Sequence, residues 1–457
     1  MSNNSKASER INALLDANSF VEIGGSMTAR ATDFNLDPKN TPADGVVTGY
    51  GVIDDKLVYV YAQDASVMGG SIGEMHAKKI SALYDFAMKM GAPVIGLIDC
   101  AGLRLQEGTD ALNAFGEVYK KQALASGVIP QISAIFGNCG GGLAILSELS
   151  DFTFMTDGAK LFVNSPNALD GNYESKCDTA SADFQKAECG TVDFVVKEAD
   201  IYKKIRQLFA MLPSNNEEND TFADCTDDIN RGCASVDTAA ELIAQIADDN
   251  NYVEIKADYA KDITCGLIKL NGNTVGVVAN NEDKLTPYGC VKAADFVNFC
   301  DAFELPVLTL TDVTGFDSTV ESEKKMAKAA AKLTYAFANA TTPKVNVIVG
   351  KAFGSAYNVM NSKALGCDMT FALADSSIGT MDAKLAAKVM YSGEGSDVIN
   401  AKANEYSALQ DSVEAAARRG YVDIIIGDAD IRKYVIGAFE MLYTKREDNP
   451  LKKHGTV

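Results

Sequence analysis

The sequence predicts an α/β protein made of two copies of one domain. Three observations predict it. Short β-branched runs alternate with stretches of helical spacing, which implies crossover connections. Text from the first half recurs in the second. In each half the third strand-like run ends in a glycine-rich turn that opens a helix.

The duplication is explicit. "DANSFVEI" at 16–23 returns as "DDNNYVEI" at 248–255, and "GYGVIDDKLVYVYAQD" at 49–64 has its counterpart in "CGLIKLNGNTVGVVANN" at 265–281. "PVIGLIDCAG" from Pro93 matches "PVLTLTDVTG" from Pro306, and "PQISAIFGNCGGGLA" from Pro130 matches "PKVNVIVGKAFGSAY" from Pro343. Both proline pairs lie 213 residues apart, and an offset held across separate motifs marks a tandem repeat. Between the halves, the polar and acidic stretch Pro213 to Asp237 reads as a linker. Composition therefore places the domains at 1–225 and 235–457.

In order along each half, "LVYVYAQD" and "TVGVVAN" read as buried strands. The next stretch of the first half has apolar residues at Ile80, Leu83, Tyr84, Ala87, Met88 and Met90. That spacing traces one helix face. Gly91 and Pro93 stop the helix. Its end spells "AMKM", the tetrapeptide that carries biotin in carrier proteins. A biotinyl lysine belongs at a hairpin tip, so Lys89 reads as a solvated helix-end lysine. The second strands ("PVIGLID", "PVLTLTD"), a further helix, and the third strands ("PQISAIFG", "PKVNVIVG") follow.

The turns after the third strands, "GNCGGGLAILSELS" and "GKAFGSAYNVMNSKAL", suit an anionic ligand. A helix start leaves N–H groups unpaired, and glycine lets a ligand oxygen approach them. Neither spacing matches a Walker loop or a dinucleotide fingerprint. Tight packing would explain one such turn; two equivalent turns favour stabilisation of an oxyanion.

Composition narrows the chemistry. Against 42 Lys plus Arg stand 62 Asp plus Glu, a net charge of −20, which opposes nucleic-acid binding. No run of eighteen apolar residues and no apolar leader are present, so a cytoplasmic protein is expected. Ten cysteines occur without a C-x-x-C pair, which argues for reduced core thiols. Only His76 and His454 are histidines. A histidine metal site cannot be built, no metal is expected, and a Ser-His-Asp triad would have to use His76.

"ADGVVTGYGVIDDKLVYVYAQD", "GGSIGEMHAKKI", "GAPVIGLIDCAGLRLQEG" and "GVIPQISAIFGNCGGG" together resemble the carboxyltransferase subunit of biotin-dependent acyl-CoA carboxylases and decarboxylases. That family includes propionyl-CoA carboxylase β subunits, methylmalonyl-CoA and glutaconyl-CoA decarboxylase subunits, and transcarboxylase. The second half agrees through "GNTVGVVAN", "FCDAFELPVLTLTD", "KAFGSAYNVMNSKALGCD" and "AARRGYVDIII".

The resemblance implies two crotonase-like domains in a ring-shaped hexamer. Acyl-CoA binds the N-terminal half, and carboxybiotin reaches the C-terminal half of a neighbouring subunit. Biotin comes on a partner carrier protein, and a biotin carboxylase or a membrane decarboxylase subunit completes the machine. Carried over by position, the N–H groups of Gly141 and Gly142 hold the thioester enolate, and those of Ser355 and Ala356 hold the ureido oxygen of biotin. Gly140, Gly354, Tyr357 and Asn358 flank these pairs; Asn358 takes the place linked to acyl-chain choice. Arg104 falls in the loop "GLRLQEG", on the CoA side, with a structural salt bridge as its other reading. A propionyl or methylmalonyl group is the expected acyl chain, and both carboxylation and decarboxylation use this site.

Several loops depart from the family pattern: "DSTVESEKK" after Phe316, "NEDKLTPYGCVKAAD" after Asn280, and "NSPNALDGNYESKC" from Asn164. Ser355 stands where a second glycine is common. Two other readings remain open on sequence: a crotonase-type hydratase or hydrolase with Glu107 or Glu148 as base, and a non-catalytic scaffold.

Overall fold

A computed structural model describes residues 5–30, 41–218 and 220–450. The chain divides into two compact units, Met1–Asp220 and Thr221–Val457.

The first unit begins with α1 (Lys6–Leu14), β1 (Val21–Ile23), β2 (Val46–Ile53) and β3 (Lys56–Gln63). Then come α2 (Glu74–Met90), β4 (Val94–Cys100), α3 (Gly108–Ala125) and β5 (Gln131–Gly140). It closes with α4 (Gly142–Glu148), β6 (Phe152–Thr156), β7 (Lys160–Phe162), α5 (Ala182–Phe184), β8 (Phe194–Val196) and α6 (Glu198–Phe209). The sheet order is β1-β2-β3-β4-β5-β6-β8, with β7 on the end of β5. The first three strands pair antiparallel; the rest are parallel. Helix α2 ends as its spacing predicts: Gly91 takes φ 58°, ψ 46°, its N–H capping Ala87. Lys89 is exposed in that last turn.

The second unit repeats the plan. It opens with α7 (Ala239–Ile246), β9 (Tyr252–Ile255), β10 (Ile263–Leu270), β11 (Asn273–Asn280) and β12 (Lys284–Leu285). Next are α8 (Pro287–Ala302), β13 (Val307–Val313), β14 (Gly315–Phe316), α9 (Val320–Asn339) and β15 (Lys344–Phe353). Then follow α10 (Gly354–Val359), β16 (Met369–Leu373) and β17 (Ser377–Gly379). Last come α11 (Ala383–Met390), α12 (Ser396–Tyr406), α13 (Val413–Arg418), β18 (Ile424–Ile426) and α14 (Ile431–Leu442). Strand order β18-β16-β15-β13-β11-β10-β9, with β17 on β15, mirrors the first sheet.

Buried polar anchors recur at the 213-residue offset. Lys79 of α2 sits 3% exposed on the carbonyls of Ala43 and Val46. Lys292 of α8, also buried, donates to Lys256, Tyr259 and Ile263 carbonyls at 2.8–2.9 Å. Each ammonium pins the approach to an antiparallel strand, where an unpaired buried charge would be costly.

The stretch 213–237, which composition reads as a linker, is folded onto the units. Asn216 N–H donates to Val128 in the first unit, and Ala223 N–H to Gly272 in the second. Cys233 joins the second core, and Arg231 binds the carbonyls of Gln245 and Ala247. Acidic composition conceals these main-chain contacts. The loops that depart from the family pattern are ordered as well. "NEDKLTPYGC" forms β12 and the start of α8 with Pro287 in its first turn, and Thr319 caps α9.

Candidate active site

Each site is a strand-to-helix turn, and one strand irregularity prepares both. Along β4 and β5, Ile98 pairs with Ile135 but Cys100 with Cys139. Along β13 and β15, Thr311 pairs with Ile348 but Val313 with Ala352. The inner strand gains two residues in both units and bends its end away from the ladder. Gly137 and Gly350 occupy these bulges because a carboxylate fills the space a Cβ would need. A Cβ on Gly137 would lie 2.1 Å from Asp99, and one on Gly350 2.6 Å from Asp312.

Beyond the bulge, Gly141 (φ 64°, ψ −127°) and Gly354 (φ 62°) turn the chain into α4 and α10. A Cβ at Gly141 would meet nothing within 4 Å, so that side of the turn is open. Gly142 is packed instead: a Cβ there would strike Phe115 and Tyr119. The Tyr119 hydroxyl donates to the Gly142 carbonyl at 2.6 Å. Sequence reasoning missed this lock, though Phe115 and Tyr119 lie four apart on one face of α3.

The donor pair in the first unit is not the expected one. Gly141 N–H is taken by the Phe162 carbonyl at 2.9 Å. Among the described residues no hydrogen bond engages the N–H groups of Gly142 and Leu143, the first two of α4. The repeat offset relates these two to Ser355 and Ala356, whose N–H groups are likewise unengaged among the described residues. The two turns thus leave equivalent N–H groups unengaged among the described residues, and Gly141 sets the conformation of the first. The reason is β7, which adds to the end of β5 and consumes one N–H of the turn. In the second turn Ser355 and Asn358 are exposed and Ala356 is buried. Tyr357 is half-buried against the core, and burial pushes its phenol up to about 12.

Arg104 belongs to the structural reading. Its side chain is fully buried, paired with Asp44 and, at 2.8 Å, with Glu107. Its Nη2 donates to the Ser71 carbonyl at 2.8 Å. This network ties the loop at 69–72 to the end of β4, where Ala101 N–H donates to Gly69 and Ile72 N–H to Gly102. Gly102 in turn approaches the Gly140 carbonyl. The Arg104 side chain is therefore enclosed in the network that ties these loops together.

Of the bases that other readings require, Glu107 and His76 are enclosed. Glu107 is buried and accepts from Arg104 and from Glu74 N–H. His76 is completely buried between Gln63 and Asp44, and burial, with Arg104 and Lys79 nearby, lowers its imidazole to about 3. Glu148 is exposed at the far end of α4. Cys100 and Cys139 lie beneath the first turn with thiols raised by burial, Cys100 to about 12. No metal-ligating cluster exists among the described residues, and none of their helices is long and apolar enough to cross a membrane.

Residues 2–457 match the family model described as the carboxyl transferase domain. The chain is 39% identical over 476 residues to the propionyl-CoA carboxylase beta chain of Roseobacter denitrificans, covering 99% of this chain and 93% of that one. It is 36% identical over 480 residues to the methylmalonyl-CoA decarboxylase subunit alpha of Propionigenium modestum, covering 99% and 92%. Among solved structures it matches the transcarboxylase 12S hexamer with methylmalonyl-coenzyme A and methylmalonic acid bound. That match has TM-score 0.95 and 36% identity, over 98% of this chain and 92% of that one. With two bulged, donor-bearing turns on one duplicated crotonase-like frame, the chain belongs to the carboxyl transferase family and is a carboxyltransferase of the propionyl-CoA and methylmalonyl-CoA carboxylase and decarboxylase group.

Proposed function

We propose that the chain moves a carboxyl group between biotin on a partner carrier protein and the α-carbon of a short acyl-CoA, propionyl- or methylmalonyl-CoA. The equivalence of the two turns carries this reading. The first turn receives the acyl-CoA. Loss of the carboxyl group from the α-carbon, or loss of the α-proton in the carboxylating direction, moves charge to the thioester oxygen, and the N–H groups of Gly142 and Leu143 stabilise it; that proton would go to the ureido nitrogen that gives up the carboxyl group. Each such donor contributes about 3–4 kcal/mol at the transition state. When bound, biotin supplies a carboxyl group carried on a ureido nitrogen. The N–H groups of Ser355 and Ala356, with Gly354 opening the approach, suit its ureido oxygen, which would take up charge as the nitrogen gives up the carboxyl group. Tyr357 and Asn358 border that place, and Arg104 holds the first turn's rim.

A histidine base is not required: His76 stays neutral and enclosed across the working pH range. The assembly we propose is a hexamer, as in transcarboxylase 12S, in the cytoplasm, served by a biotin carboxylase or a membrane decarboxylase subunit. All ten cysteines are free thiols, in keeping with a reducing compartment.

The test is carbon dioxide release from methylmalonyl-CoA and malonyl-CoA with and without added free biotin. Turnover should rise with biotin. Its absence across a panel of short acyl-CoA thioesters would overturn the proposal.

A further inference from the structure

The two units share a frame but differ in one charge balance. In the first, Arg10 of α1 lies against the ends of the central strands, its side chain 6% exposed. Its Nη1 is 3.0 Å from Asp99 Oδ2 and its Nε 3.4 Å from Glu198 Oε1. The guanidinium sits 4.4 Å over the Phe136 ring. Two carboxylates and an aromatic face therefore enclose one guanidinium.

The second unit keeps the acids and lacks the cation. Asp312 stands for Asp99 and Val349 for Phe136 at the repeat offset. Asp428 stands for Glu198, since "DFVVKEADI" from Asp193 recurs as "DIIIGDADI" from Asp423. Leu242 replaces Arg10, in the register that relates Asp16 to Asp248. Here lies a cavity of about 210 Å³ lined by Leu242, Asp312, Val349 and Asp428, with Asp237, Glu282 and Asp283 also on its wall. That is several times the roughly 30 Å³ share of one water. No lysine or arginine lines it. One oxygen of Asp312 accepts from Lys351 N–H and one of Asp283 from the Thr314 hydroxyl, and no ion pair to any of these five acids is formed among the described residues.

We propose that this cavity binds an alkylguanidinium group, the arginine side chain of a partner protein, in the place that Arg10 fills in the first unit. The acid-only wall selects the source. A free arginine would bring its α-carboxylate against like charge, whereas an arginine within a polypeptide has none. No residue of either glycine turn lines the cavity.

Calorimetric titration of the full chain at low ionic strength tests it, with Nα-acetyl-arginine methylamide and its neutral citrulline analogue as probes. Saturable binding of one arginine probe per chain is expected, with citrulline and free arginine each at least about tenfold weaker. Leu242→Arg, which supplies the cation internally, and Asp428→Asn, at an exposed position, should each weaken the probe about tenfold. Equal binding of citrulline, no saturable binding, or undiminished binding to Leu242→Arg would overturn the site. Free arginine binding as tightly as the blocked amide would overturn the partner source.

Discussion

In the proposed reaction the backbone at Gly141 and Gly354, not a side chain, carries the chemistry. With φ 64° and ψ −127°, Gly141 lies outside the left-handed well that other residues can enter. Its missing Cβ faces open space, so Gly141→Ala is strained purely by conformation, by about 1–3 kcal/mol. Relaxing that strain would swing the Gly142 and Leu143 N–H groups. Steady-state kinetics should show kcat reduced at least about tenfold, with KM for acyl-CoA little changed. Ser355→Ala keeps its N–H and should stay within about twofold of the parent; a tenfold loss would transfer the role to the hydroxyl. The two strand-to-helix turns were legible because Gly137 and Gly141 recur as Gly350 and Gly354 at the repeat offset. Which N–H remains available was not, since β7 is three residues long and its pairing with β5 has no periodic signature. Arg104 was ambiguous for a related reason: Asp44 lies sixty residues away in sequence.

At the scale of elements, the bulge in β5 depends on a carboxylate occupying the space beside a glycine. Gly137→Ala places a methyl against Asp99, which also holds Arg10. A loss of about 1–3 kcal/mol should follow in denaturant titration. In an Asp99→Ala background the added cost should shrink, because the clash is gone; full additivity would show that the two residues do not share the space. Strands and long helices were readable because both faces of a parallel sheet are covered and its runs are continuously apolar. The bulges arise from tertiary packing, yet a trace existed. Asp99 with Gly137 recurs as Asp312 with Gly350 at the same offset that revealed the duplication. The unit boundary falls inside the stretch read as a linker; composition could not show that main-chain carbonyls bind Ala223 and Arg231 there.

Across the whole molecule the repeats share a scaffold and balance its charges differently, which makes their pH responses separable. In the second unit, Asp368 accepts Lys344 N–H and has Lys445 Nζ at 2.8 Å. Its counterpart Asp151 accepts Gln131 N–H at 2.7 Å but forms no ion pair among the described residues. Burial, reinforced by Asp193, pushes the Asp151 carboxyl up to about 7. A carboxyl raised by folding binds its proton more tightly in the native state, so stability is greatest below its ordinary value of 3.8 and falls as pH rises to about 7. Asp411 in the second unit, raised by burial and by Asp382 to about 6, acts in the same direction over a narrower range. Thermal unfolding should therefore show a first-unit transition that keeps falling between pH 6 and 7.5. Asp151→Asn retains an acceptor for Gln131 N–H and should abolish that decline, recovering on the order of 3 kcal/mol at pH 8. Asp411→Asn should alter only the limb between pH 4 and 6. If Asp151→Asn leaves the decline above pH 6 unchanged, the missing lysine is not what distinguishes the first unit from the second.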